Sequence, residues 1–377
     1  MRIAYISSSI IPSRFANSVH VMKMCQAFAK NGHEVTLFAP DIREQYEKDV
    51  PDEYAFYGVD RCFDIIKLPW RRIKGRGYLY GVNAAIQAKK LAPDLVYCRN
   101  TPGCYFSALL GWPVVFESHS PIDDEKKALK RSLFSFIGGL SSFKKLVVIT
   151  HSLKMYYETF FPAVQGKVFV ASDGADPVSE SVEAAQLPGC NERLRVGYVG
   201  HLYQGRGMEV LLALAERCSW ANFHVIGGNQ EDIAFWKKQF NRSENVFFHG
   251  FVAPEKAEAF RIACDVLLAP YQNAVAVAGG GGNTVQWMSP LKIFEYMAAR
   301  KGIIASDLPV LHEVLQHERN ALLCPFDDVD AWERALIRLN DDAVLRRKLA
   351  ENAFSCFKKK HTWSARARAI LDNYLST

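Results

Sequence analysis

The chain opens the same way twice. Residues 2–6, Arg-Ile-Ala-Tyr-Ile, form a short β-type run, followed by a Ser/Pro/Asn loop, an amphipathic stretch over 18–30, a helix-ending Asn31-Gly32 and a second β-type run at 33–38. Arg195-Val196-Gly197-Tyr198-Val199 restarts the pattern, with a glycine-rich loop, a helical stretch over 208–218 and a strand at 222–226. A chain of 377 residues that restarts a strand-helix-strand unit is too long for one ordinary core and is expected to form two domains. Further strand-like runs at 95–98, 114–117, 146–150, 168–171, 246–249, 266–269 and 303–306 alternate with helical stretches. That alternation implies an α/β chain with two doubly wound, Rossmann-like parallel sheets. Such sheets take ligands at the carboxyl ends of their strands, so two facing domains are expected to frame a cleft. The periodic pattern lapses over 176–188, which places the boundary between domains 1–178 and 179–360.

Composition removes several function classes. With 49% hydrophobic and 23% charged residues the chain is a folded protein rather than a disordered one. Its longest uncharged stretch, 266–291, holds four consecutive glycines and two prolines and fails as a membrane span. None of the nine cysteines has C-x-x-C spacing, so they are expected to be reduced thiols, and the first residues read as a strand rather than a signal peptide. The expected compartment is the cytoplasm. The net charge of +6 gathers at Lys67, Arg71, Arg72, Lys74 and Arg76, and again at Lys126, Lys127, Lys130 and Arg131. The second group, with Leu133, Phe134 and Phe136, suits either peripheral contact with an anionic inner membrane face or a solvated helix surface. No nucleic-acid recognition module is present.

The richest segment is 288–299, where Ser289 is expected to cap a helix and Pro290 to begin it. The helix amino end and Lys292 in its first turn favour a phosphate, and Glu295, on nearly the same face, can accept both hydroxyls of a ribose. An ordinary helix with a surface Lys–Glu pair has the same pattern. Gly200 to Gly207 follows a predicted strand and opens a helix, but Arg206 and Gly207 stand where a P-loop needs Lys and Ser or Thr. What remains is a glycine loop with an arginine suited to phosphate oxygens. Asp328-Val329-Asp330 just precedes a helical stretch and reads as a cap rather than a metal motif.

These segments, in this order, resemble the nucleotide-sugar half of the retaining glycosyltransferases of family 4, which have the GT-B fold. Tyr198 to Leu202 with Arg206-Gly207 is similar to that family's G-R-L-x-x-x-K-G, and 289–299, followed by 302–307 and His312-Glu313-Val314, is similar to its donor-binding stretch. Asp173-Gly174-Ala175-Asp176 resembles the turn closing the first domain, and 361–377 the terminal helix that crosses back to it. The resemblance implies that Arg206 and Lys292 hold the diphosphate, that Glu295 holds the ribose, and that Gly200, His201, Ser289, Pro290 and Leu291 line the donor. His119, in Phe116-Glu117-Ser118-His119-Ser120, is similar to a strand-end histidine beside the reacting sugar. Ser9, Arg14, Asn17 and Ser18 occupy the place of a first loop that meets donor or acceptor.

Two departures stand out: Trp287 replaces the first glutamate of an E-x7-E pair, and His201 replaces an arginine. The run Gly279 to Gly282, with Asn283 and Thr284, is a substitute source of donor contacts or a plain loop. The implied activity is retaining, metal-independent transfer of a hexosyl-type sugar from a UDP- or GDP-sugar, with no cofactor, to a glycan or lipid-linked acceptor of polysaccharide assembly. A sugar-nucleotide epimerase of the same fold and a non-catalytic nucleotide-sugar-binding subunit are the competing readings.

Overall fold

The computed structural model describes residues 1–122, 128–240, 243–275 and 283–376. The chain divides into two compact units, Met1–Asp173 with Trp363–Thr377, and Gly174–Thr362. The first carries strands β1 (Arg2–Ile6), β2 (Glu34–Asp41), β3 (Asp64–Pro69), β4 (Leu95–Cys98), β5 (Val114–Ser118), β6 (Phe143–Val148) and β7 (Val168–Val170). All pair in parallel, in the order β3-β2-β1-β4-β5-β6-β7. The central strands Leu-Val-Tyr-Cys and Val-Val-Phe-Glu-Ser are buried at every position, as a sheet covered on both faces demands, whereas edge strand β3 is only partly covered. Helix Ala16–Lys30 connects β1 to β2 and ends where Gly32 takes φ +89°. The terminal helix Trp363–Leu375 belongs to this unit; Ser364 donates from Oγ to Asn31 Oδ1 at 2.7 Å.

The second unit carries β8 (Leu194–Val199), β9 (Ala221–Ile226), β10 (Val246–Gly250), β11 (Val266–Ala269), β12 (Gly302–Ser306) and β13 (Leu322–Cys324), again parallel, in the order β10-β9-β8-β11-β12-β13. Alternate residues feed two cores: Val196, Tyr198, Val266 and Leu268 pack on one side of the sheet, Val199, Leu267 and Ala269 on the other. Both sheets therefore grow outward, return beside their first strand and grow the other way. The repeated openings share one fastening. Asp94 accepts from Arg2 N–H at 2.7 Å and returns its own N–H to Arg2 O at 2.9 Å, and Asp265 does the same with Arg195 at 2.9 and 2.8 Å.

Two sequence expectations change. Ser289 is not the cap and Pro290 not the first helical residue: the helix is Leu291–Ala298, and Pro290, with ψ 120°, stands outside it. Proline's ring fixes φ alone, at a value that suits either position, so ψ decides. Phe134, grouped with outward aromatics in the basic helical stretch, is fully buried; Phe136 is exposed. Lys126, Lys127 and Gly279 to Gly282 lie outside the described residues. Among the described residues no helix is long and apolar enough to cross a membrane.

Candidate functional site

In the second unit the sheet order reverses between β8 and β11, whose carboxyl ends are neighbours, and a ligand crevice is expected at such a point. The loop after β8 lies directly on the loop after β11. Gln272 N–H donates to Gly205 O at 3.0 Å, and a Cβ on Gly207, where φ is +82°, would stand 1.8 Å from Pro270 O. Only glycine permits that approach.

Helix Leu291–Ala298 has neither a side-chain cap nor an acidic residue in its first turn. Its Lys292 is buried, with Nζ 3.9 Å from the centre of the Tyr198 ring and 5.0 Å from that of Tyr271. A Cβ on Gly200 would lie 3.0 Å from that Nζ, so the glycine gives the ammonium its room. Among the described residues Nζ has no hydrogen-bond partner. Arg206 places its guanidinium 4.9 Å from the Tyr203 ring centre and 5.5 Å from that of Tyr271. It donates to Tyr203 Oη at 3.3 Å, while its buried Nε is unpartnered among the described residues.

Burial, then the Arg206 charge, pushes the Lys292 ammonium well below its ordinary range. Removing an ion from water costs several kcal/mol; cation–π contacts return about 2 kcal/mol. The remainder is a net cost that a bound anion would offset. Burial, followed by Arg206 and Lys292, also lowers His201 to about 4, so His201 adds no third charge at neutral pH. It stacks on Tyr203 at 5.1 Å.

Glu295, one turn on, is half-buried and accepts from Arg261 Nη1 at 3.2 Å. Tyr296, on the same helix, accepts from Val199 N–H at 2.9 Å and anchors the helix to the end of β8. Asn283 and Thr284 serve their own loop: Asn283 Oδ1 accepts from Val275 and Val285 N–H, each at 3.0 Å, and Thr284 Oγ1 donates to Val275 O at 3.2 Å. Ser289, Pro290 and Leu291 lead into the helix and are half-buried. Asp328 caps helix Val329–Asp341 by accepting from Ala331 N–H at 3.0 Å, and Asp330 pairs with Arg217.

In the first unit His119 stands just past β5, its Nε2 2.6 Å from Glu117 Oε1. Burial, then Arg99, lowers His119 to about 4, so it is neutral at pH 7, with Nε2–H donating and Nδ1 left as an acceptor. Glu117 is fully buried. Burial opposes its ionisation, but Arg366, with Nη2 at 2.8 Å, and then His20 hold it well below the usual carboxylate range. Tyr97 donates to its other oxygen. His20 lies 2.9 Å from both Glu117 and Asp173. His20, Glu117, His119 and Asp173 offer four ligand atoms within 4.8 Å of one another, a set able to hold a metal ion, although Arg366 already supplies positive charge there.

The first-loop residues do not converge on one point. Ser9 N–H bonds Ser7 Oγ at 3.0 Å, Ser18 is buried against Ser13 and Phe15, and Arg14 pairs with Glu47. Asn17 is exposed, its carbonyl accepting from Arg99 at 3.4 Å. Tyr271, Arg261, His20 and Arg366 escaped the sequence reading, which took Tyr198 as part of a strand. Arg366 meets Glu117 across 249 residues of chain, a pairing no local pattern signals.

Known proteins are similar to this chain in sequence and in fold. The profile of the glycosyl transferases group 1 matches residues 193–342, and that of Glycosyltransferase Family 4 matches residues 18–178. Two uncharacterized glycosyltransferases of Methanocaldococcus jannaschii are related. MJ1069 is 25% identical over 177 residues, 45% of this chain and 42% of its own, so the chain spans less than half its length. MJ1607 is 21% identical over 402 residues, 95% of this chain and 93% of its own. Anabaena Alr3699/HepE, crystallised with UDP, superposes over all of both chains with a TM-score of 0.71 at 15% identity, and its complex with UDP-glucose gives 0.69.

Proposed function

Because the chain belongs to glycosyltransferase family 4, we propose that its second unit binds a nucleotide sugar and that the protein transfers the sugar to an acceptor hydroxyl. The observation that carries this reading is the buried Lys292 ammonium, unpartnered among the described residues, beside Arg206 at the carboxyl ends of β8 and β11. Neither cation makes an ion pair among the described residues, so the site is organised for an anion with two or more charges. A nucleoside diphosphate matches it: phosphates meet Lys292, Arg206 and the helix amino end, and Glu295 accepts from the ribose. Anabaena HepE, of the same fold, has been crystallised with such ligands.

Lys292 and Arg206 would then stabilise the leaving diphosphate as the glycosidic bond breaks, in the place a metal ion takes in other transferases. The acceptor hydroxyl attacks from the face the diphosphate leaves, with retention of configuration. His119, neutral and fixed by Glu117, orients a sugar hydroxyl. UDP- and GDP-hexoses are the donors proposed, and glycan or lipid-linked molecules the acceptors.

A panel of nucleotide sugars, read by thermal stabilisation and then by transfer, tests the reading. One or a few donors should stabilise the chain, and Lys292→Ala or Glu295→Ala should abolish most transfer without unfolding it. Conversion of a donor with no acceptor present would show an epimerase instead, and donor binding without transfer or hydrolysis a binding subunit.

A further inference from the structure

The first unit holds a cavity that the reading above leaves unassigned. It has a volume of about 490 Å³, and its lining includes Ser8, Ile42, Glu44, Trp70, Arg72 and Arg76. Ser8 follows β1, Ile42 follows β2 and Trp70 follows β3, so the cavity sits at the carboxyl ends of three neighbouring parallel strands, where this architecture binds ligands. Its size is that of a small-molecule site.

Three features define what fits. Trp70 is half-buried, its ring packed 5.7 Å from that of Tyr80, which fixes a rigid apolar surface for the C–H face of a sugar ring. Arg76 is exposed, with its guanidinium 5.7 Å from the Trp70 ring centre and, among the described residues, no carboxylate paired to it. It is also the first residue of helix Arg76–Lys90, which has no side-chain cap and no acid in its first turn, so the helix's positive end adds to the same corner. Glu44, the acid of the lining, is already bound to Arg72 at 2.6 Å. The cavity therefore keeps one net positive charge beside an aromatic platform.

We infer that this cavity binds an anionic saccharide, a sugar carrying phosphate or carboxylate, as the acceptor of the proposed transfer. The inference rests on the transferase reading for the acceptor role, but binding tests it separately. Glucose 6-phosphate, glucuronate, methyl glucoside and inorganic phosphate are titrated into the intact chain, followed by ligand-observed NMR. One or both anionic sugars should bind at millimolar concentration, at least about tenfold more tightly than methyl glucoside or inorganic phosphate. Arg76→Gln and, independently, Trp70→Leu should each weaken that binding about tenfold, while UDP stabilises both variants as it does the wild type. Which sugar binds tells a phosphate from a carboxylate acceptor. Equal binding of methyl glucoside, equal binding of inorganic phosphate, or binding unchanged in both variants would overturn the inference. If UDP fails to bind the wild type while the anionic sugar binds as described, the donor-site reading falls and the cavity assignment stands.

Discussion

Replacing Lys292 by Met should make the ligand-free protein more stable and the nucleotide site worse. Met fills nearly the same volume between the Tyr198 and Tyr271 rings and carries no charge. The wild type tolerates a buried ammonium whose Nζ lacks a hydrogen-bond partner among the described residues. The cost of several kcal/mol, less about 2 kcal/mol of cation–π attraction, leaves a net penalty of about 1–3 kcal/mol that the substitution removes. For a unit of this size that raises the midpoint by about 2–12 °C. The same change deletes a charge-assisted contact of about 1.5–3 kcal/mol to the diphosphate, so UDP affinity falls by about 10- to 150-fold. Scanning calorimetry of the free protein and titration calorimetry with UDP read the two effects. A variant that loses stability and binds UDP as well as the wild type would refute the reasoning, because Lys292 would then be a structural residue.

Other consequences can be measured alongside. UDP binding should take up to about one proton, because the diphosphate favours the ammonium that burial disfavours; titrations in buffers of differing ionisation enthalpy would detect it, and affinity should fall as pH rises above the free-state value. The free protein binds fewer protons at Lys292 than the unfolded chain, so its stability should increase with pH between the depressed value and 10.5, a slope absent from Lys292→Met. Glu295→Gln should weaken UDP about tenfold and leave inorganic pyrophosphate unchanged, since the carboxylate is assigned to ribose; equal losses for both ligands would contradict that role. Glu117→Gln should destabilise the first unit by about 3–5 kcal/mol, because it leaves buried Arg366 short of a countercharge; chemical denaturation checks this.

The fold was legible where the chain punctuates itself. Asn31-Gly32, the two Arg-led strands and the apolar runs at 95–98 and 266–269 mark elements whose burial on both faces leaves little choice. Edge strand β3 and short β13 were not read, the first because its burial is partial and the second because three residues carry no period. Of the candidate site, Lys292, Glu295 and Arg206 could be singled out as candidates because a helix start and a glycine loop are local patterns. The tyrosine cage was not, since Tyr198 and Tyr271 look like ordinary strand-end aromatics until adjacent strands bring them together. Arg261, the partner of Glu295, and Arg366, the partner of Glu117, sit on helices whose sequences announce only a surface charge. The cap at Ser289 failed for a subtler reason: Pro290 satisfies φ on either side of a helix boundary, and sequence does not specify ψ.

The central claim is that the Lys292 ammonium and the Arg206 guanidinium wait for a diphosphate. A crystal structure of the chain with UDP tests it most directly. The account predicts phosphate oxygens within about 3 Å of Lys292 Nζ and of an Arg206 nitrogen, with ribose hydroxyls on Glu295. A nucleotide bound elsewhere, with Nζ still enclosed only by the two tyrosine rings, would contradict it.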